Sequence, residues 1–457
     1  MKNTIFSKFR KDNAIYFIFF LGLILRIIAY LNFASYKAYD GYIYHGRVLY
    51  ESKAYGRDRQ FFEDNNGDPK LIDELFNNPS SPIIKVNGKE IILTATHPVG
   101  WPLQIAFLYV VFGNNNINAV LIYNFILSSF SILLFYTIAK KLFDMNIALI
   151  SSLIVALNPI FILTSVRTTT ETNFLFFLML SIYFLIRCKQ TNKISDYMLF
   201  GVFIGFTSFV RPVAFLYFFL FLFLFFVTKK FNLKSLFSLI AFLVVLSPWV
   251  IRNYIVFNRF IPMTNLSGTM FYQGNNKLSF ESKTGACIKD EVVKLEKSLC
   301  TKKSEIEIRD IEIKEGLKFL KSLSLIELIQ HEWYKIRYAF GLSPKYFLYR
   351  SGTFNFTIKD KLVYYPLFFL TLIYFIFFYR KSSKMNKDKT KLFLIIFISA
   401  IIVYLIQTLT FIGYPRYRQY LLDPFLIIPA SLSLHFIFLF LKERVKSFKL
   451  RGMGKKI

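Results

Sequence analysis

The chain alternates between long apolar stretches and short, mostly basic connectors. Apolar runs occupy about 14–33, 117–139, 146–165, 172–187, 196–210, 213–228, 235–250, 362–379, 392–411 and 421–441. An α-helix rises ~1.5 Å per residue, so about 20 apolar residues cross the ~30 Å hydrocarbon layer of a bilayer. Within that layer only helices and closed barrels satisfy every backbone polar group. The pattern predicts an all-α polytopic membrane protein of about ten transmembrane helices. The 196–228 stretch, broken at Arg211–Pro212, is expected to form two short spans meeting at the outer surface. Val99–Phe112 is apolar over only about 14 residues, the length of an interfacial or re-entrant piece, and is placed in the outer interface.

The connectors fix the orientation. Lys140–Lys141, Arg187–Lys193, Lys229–Lys234, Arg380–Lys391 and Lys442–Lys456 all fall on the same side as Lys2, Lys8, Arg10 and Lys11. Basic loops stay in the cytoplasm, which puts both termini there and the protein in the cytoplasmic (inner) membrane. The first run is too long for a signal-peptide core and contains Arg26, so it is expected to be an uncleaved span. Arg26 should either pair with a buried carboxylate or snorkel outward.

Two large segments then lie on the extracytoplasmic side. Residues 34–103 form the first outer loop of an N-terminal transmembrane module, 1–250. Residues 251–361 form the second, and 362–457 the last spans with a basic tail. Asn66-Gly67 and Asn87-Gly88 are turn signals. Between Ser304 and Phe340, Ile308, Ile311, Leu317, Leu320 and Leu325 recur at helical spacing, predicting a helical layer against the membrane.

Composition excludes several function classes. Of 457 residues 54% are hydrophobic, and the 56 Phe and 28 Tyr suit lipid-facing surface and interfacial belts. The net charge of +29 sits in the connectors, where it sets topology, so nucleic acid is not an expected partner. With 4 His, a His-rich metal site is not expected. Cys188 should face the cytoplasm, while Cys287 and Cys300 share the second outer loop and are either bonded or free. There is no Gly-rich phosphate loop ending in Lys-Ser/Thr, no cytoplasmic Asp-x-Asp pair and no Gly-x-Ser-x-Gly elbow.

Ionisable residues gather instead at the outer ends of the spans. Asp40 follows the first; Arg167 and Glu171 lie in the turn Thr164–Glu171; Arg211, Arg252 and Asn253, and Arg416 and Arg418 mark three more. Charge at a membrane boundary is costly unless paired or used, and Arg suits phosphate. Simpler roles exist for each: Asp40 as a cap for a helix over Tyr42–Leu49, Glu171 as a first-turn acid, Arg211 as an interfacial anchor.

The series resembles the GT-C integral-membrane glycosyltransferases, and within them the branch of protein O-mannosyltransferases and lipid A aminoarabinose transferases. The segments concerned are Asp40-Gly-Tyr-Ile-Tyr44 with Leu49, His97-Pro-Val-Gly-Trp-Pro102, Asn158-Pro159 with Thr170-Glu171, Gly205–Pro212, Ser247–Tyr254, Tyr272-Gln-Gly-Asn-Asn276 and Arg416-Tyr-Arg418. A single acid at the first motif, and Glu rather than Asp at the second, depart from the O-mannosyltransferase pattern. With no recognisable soluble C-terminal domain, an oligosaccharyltransferase is not the expectation.

The resemblance implies a GT-C-like bundle with two large extracytoplasmic loops. It implies inverting transfer of a sugar from a polyprenyl-phosphate-linked donor to a glycan, lipid or protein acceptor on the extracytoplasmic face. Asp40 would be general base and Glu171 would assist; Arg211, Arg252, Arg416 and Arg418 would bind the donor phosphate. Tyr44, His97, Asn253 and Asn275 would face acceptor or sugar. Whether a divalent ion bridges Asp40 and Glu171 is left open. The competing reading is a transporter or flippase of lipid-linked sugars.

Overall fold

The computed structural model describes residues 2–34, 41–64, 68–227, 232–283, 302–341 and 356–453. The first span lies in α1 (Lys2–Phe33). The first segment expected to be outer follows, with α2 (Tyr42–Ser52), strands β1 (Gly56–Asp58), β2 (Ile83–Val86) and β3 (Lys89–Leu93), and α3 (Gly100–Phe112). The bundle continues through α4 (Ile117–Leu142), α5 (Met145–Leu157), α6 (Pro159–Ser165), α7 (Glu171–Thr191), α8 (Ile194–Val210), α9 (Ala214–Val227) and α10 (Ser235–Phe257). The second segment expected to be outer carries α11 (Ser267–Gly274), α12 (Glu305–Ser322) and α13 (Leu325–Ala339). The C-terminal part includes α14 (Phe356–Ile373), α15 (Lys387–Thr410), α16 (Pro415–Leu421) and α17 (Asp423–Met453).

Among the described residues, seven helices are long and apolar enough to cross a membrane, and the α5–α6 pair makes an eighth as a broken span. The helices α8 and α9, of 17 and 14 residues, supply the two short apolar pieces expected on either side of Arg211. Helix α3 spans 13 residues, too few to cross a bilayer by itself. The chain is a multi-pass membrane protein.

One expected span is not continuous. The 146–165 run bends by 54° between α5 and α6. Asn158, held extended by the following proline, caps α6 by accepting from the N–H groups of Ile160 at 2.9 Å and Phe161 at 3.3 Å. The break leaves α5 with carbonyls that no helical N–H can reach. Arg26 answers them. Fully buried, it donates to Ala156 O at 3.3 Å and Val155 O at 3.4 Å, as well as to Gly22 O and Ser128 Oγ. Neither a carboxylate partner nor snorkelling, the two expected fates, describes this residue. A cation at a helix C-terminus is favoured by the macrodipole.

The outer segments are built by local signals. Asn87 and Gly88 take φ of 49° and 77°, the left-handed pair that a tight hairpin between β2 and β3 requires. The resulting small antiparallel sheet, in the order β1-β3-β2, is an addition to the all-α expectation. Helices α12 and α13 fill the predicted 304–340 layer, each opened by a capping box, Ser304 with Glu307 and Ser324 with Glu327. One face of α13 turns His331, Lys335 and Tyr338 inward, while Leu325, Ile326, Ile329 and Trp333 stay exposed. Asn66-Gly67, Cys287 and Cys300 lie outside the described residues. Cys188 is buried and free.

Candidate active site

The turn between α6 and α7 is stitched down by its backbone. Trp101 donates its indole N–H to Thr168 O at 2.8 Å, and Asn124 donates Nδ2 to Arg167 O at 2.7 Å. Asn173 in turn donates to Asn124 Oδ1 at 3.0 Å. Gly100 brings α3 against the end of α8: a Cβ there would stand 2.6 Å from the carbonyl carbon of Phe209. The motif His97–Pro102 thus positions both the Glu171 turn and the residues leading to Arg211.

Glu171 opens α7 and is almost fully buried. Its Oε1 accepts from Arg211 Nη2 at 2.9 Å and from Arg416 Nε. Arg211 also donates Nε to Thr170 Oγ1 at 2.7 Å and Nη1 to the Tyr420 hydroxyl, with its guanidinium carbon 4.0 Å from the centre of that ring. One carboxylate oxygen thus meets two guanidinium groups. Exposure of the side chains rises from 6% for Glu171 through 14% for Arg211 to 44% for Arg416. Of the two guanidinium groups, that of Arg416 is the more open. Beneath Glu171 a cleft of about 10 Å³, room for one water, is lined by Ser128, Thr164, Thr172 and Gln419.

The other two arginines are held elsewhere. Arg252 donates Nη1 to Thr94 O and Nη2 to Tyr55 O, at 2.9 and 2.8 Å, tying α10 to the first outer segment. Asn253, fully buried, accepts from Arg252 and donates to Ile261 O at 3.0 Å. Arg418 is buried, bonded through Nε to both oxygens of Asp423 and stacked on Tyr364 at 3.7 Å. Asn275 is buried as well, its amide spent on Phe271 O and Thr410 O and its carbonyl on Lys335.

Tyr44 and His97 belong to a third group. His97 lies 5.2 Å from the Tyr42 ring and 5.1 Å from that of His45, and Tyr44 packs edge-on to Phe61 at 5.4 Å. Buried His45 donates Nδ1–H to Gly56 O at 3.0 Å, and burial, then His97, hold its pKa well below the ordinary imidazole value. Asp40 lies outside the described residues. The residue after it, Gly41, takes φ of 71° as the N-cap of α2 and stands beside Phe61 and His97.

The sequence reasoning passed over several residues that build the site. Thr170 and Tyr420 complete the Arg211 cage. Glu305, first residue of α12, accepts from Thr94 Oγ1 at 2.6 Å, Ala95 N at 2.7 Å and Thr96 Oγ1 at 3.0 Å, fastening the strand end before His97. Asp423 was legible in principle, since it follows Arg418 within a turn and a half of helix. A roomier groove, about 330 Å³, opens among Pro79, Ser81, Arg259, Glu307 and Asp310, and Glu171 takes no part in it.

Comparison with known proteins agrees with this architecture. Residues 96–251, from the His97 motif through the Glu171 and Arg211 turns to α10, match the family described as dolichyl-phosphate-mannose-protein mannosyltransferase. No sequence among the curated proteins matches the chain. Among solved structures, the oligosaccharyltransferase of Archaeoglobus fulgidus in the apo form superposes with a TM-score of 0.54 at 13% identity, over 96% of this chain and 52% of that one. The same archaeal enzyme, AglB, in complex with an inhibitory peptide and a dolichol-phosphate gives 0.54 at 13%, over 97% and 52%. ArnT from Cupriavidus metallidurans bound to undecaprenyl phosphate is more distant, with a TM-score of 0.42 at 11% identity over 92% and 76%. The chain spans about half the length of the archaeal oligosaccharyltransferase it matches. Taken together, residues 96–251 are similar to that mannosyltransferase family, and the chain shares its fold with the archaeal oligosaccharyltransferase.

Proposed function

We propose that the protein is a glycosyltransferase that moves a sugar from a polyprenyl-phosphate carrier to an acceptor on the extracytoplasmic face, with inversion. The observation that carries this reading is the convergence of Arg211 and Arg416 on one buried carboxylate, with Arg416 the more open of the two. A lipid phosphate is the natural occupant of such a site. In the reaction the acceptor oxygen or nitrogen bonds to the anomeric carbon while the bond from that carbon to the phosphate oxygen breaks. The electron pair of that bond leaves on the phosphate, where fixed guanidinium groups stabilise it. The acceptor proton passes to Asp40, the general base.

Within this reading Glu171 holds the two arginines in place, and Arg252 and Arg418 brace the frame around them. His97, which stands beside Gly41, and Tyr44 take the acceptor or sugar; Asn253 and Asn275 act as internal braces. Glu171 Oε1 is engaged by two guanidinium groups, while its buried Oε2 accepts no hydrogen bond among the described residues. No step is routed through a metal.

The test uses purified protein in detergent with a radiolabelled polyprenyl-phosphate sugar. Release of polyprenyl phosphate with no membrane barrier present is the expected result. Asp40→Asn should abolish transfer in a protein that still folds, and Arg416→Ala should weaken donor more than acceptor. Absence of release, the behaviour of a flippase, or full transfer by Asp40→Asn would overturn the assignment.

A further inference from the structure

Lys335, on the inward face of α13, is fully buried. Lysine is almost never buried without partners, and this one has a partner for each of its three N–H groups. They go to Asn275 Oδ1 at 2.7 Å, Leu409 O at 2.8 Å and Glu332 Oε1 at 3.0 Å. Leu409 is the penultimate residue of α15, where a helix runs out of its own donors. Asn275 works on the same helix end, donating to Thr410 O at 3.1 Å, and His331 donates Nε2–H to Gly274 O at 3.0 Å.

The backbones meet as closely as the side chains. A Cβ on Gly413 would run into the carbonyl of Lys335, and one on Gly274 into the carbonyl of Phe411. Tyr338 packs on Tyr414 at 5.8 Å. The segment from Leu409 to Tyr414 is thus clamped between α13 and the end of α11. Pro415 and Arg416 follow immediately, at the start of α16.

We propose that Lys335 is a positioning residue for Arg416, so that the outer helical layer sets where the exposed guanidinium meets the lipid phosphate. The proposal rests on the reading of Arg416 as a phosphate-binding group. A long, half-exposed side chain can be aimed only through its backbone, and a site for a planar, multidentate contact loses affinity when that backbone loosens. Lys335 touches no ligand itself. It acts through the turn.

A double-mutant cycle on the full chain tests this, with undecaprenyl phosphate as the probe and its dissociation constant in detergent as the readout. Lys335→Met and Arg416→Ala should each weaken binding about tenfold, and the double variant should bind no more weakly than Arg416→Ala alone. A merely structural role would give losses that add, and additive losses overturn the proposal. Unchanged affinity in Lys335→Met overturns it too. If Lys335→Met does not yield a monodisperse protein, Asn275→Ala, which removes the clamp from the other side, takes its place in the same cycle. Failure of the wild-type protein to bind undecaprenyl phosphate would instead remove the phosphate reading of Arg416, and this proposal with it.

Discussion

Arg26 donates its Nε–H to Ser128 Oγ at 2.7 Å, so that a cation inside the first span is met by a hydroxyl and by backbone carbonyls, with no acid among its hydrogen-bond partners in the described residues. The same contact joins α1 to α4 beside the break that sends α6 toward Glu171. Arg26→Met removes these bonds and leaves the end of α5 short of donors. We expect a loss of about 1–3 kcal/mol, read as a lower melting temperature in detergent, with Arg26→Lys intermediate. An unchanged melting temperature in Arg26→Met would show that the helix end does not depend on it.

Glu171→Gln keeps the shape of the side chain and removes the charge that Arg211 and Arg416 both face. Breaking a buried ion pair from one side costs about 3–5 kcal/mol, so thermal stability should fall sharply. An anion should repair the damage. Inorganic phosphate is expected to raise the melting temperature of the variant more than that of the wild type. Equal shifts in the two proteins would count against a shared cationic site.

Two histidines make the fold sensitive to acid. Burial, then the neighbouring Lys335, push the pKa of His331 from 6.5 down to about 4, and His45 is depressed in the same direction. The unfolded chain therefore binds these protons first, and stability rises with pH. The contribution is complete above about 6.5 and is lost as pH falls toward 4, amounting to about 3 kcal/mol for His331 alone. Melting temperatures measured between pH 7 and pH 4 should fall, and His331→Phe should flatten part of the slope. A variant with the wild-type slope would show that His331 is not one of the titrating groups.

The exposed stripe of α13 calls for a lipid surface. Trp101 and Trp249 are buried, whereas Trp333 is 53% exposed among Leu325, Ile326 and Ile329. In nanodiscs containing lipids brominated near the head group, Trp333 should account for most of the quenching, and Trp333→Phe should remove it. Quenching that survives the substitution would place this face of α13 away from the bilayer.

Much of the fold was legible because membrane helices announce themselves through length and apolarity, which depend on no distant partner. The hairpin at Asn87-Gly88 was readable for a similar reason, since its backbone conformation is demanded locally. The bend at Asn158–Pro159 was within reach, because proline both withholds a donor and restrains the residue before it; overall hydropathy concealed it. The site was legible only in part. That Glu171, Arg211 and Arg416 share a contact follows from the packing of α7, α8 and α16, which no local pattern encodes. The same is true of Arg252 and Arg418. Their residue types fit a phosphate clamp, and only tertiary neighbours reveal that one binds carbonyls and the other Asp423.

Gly100 has a reach beyond its own position. With only hydrogen on its α-carbon facing the Phe209 backbone, the start of α3 and the stem of the Arg211 turn have no slack between them. Whatever enters beside His97 must therefore either leave α3 undisturbed or shift the guanidinium two residues beyond Phe209.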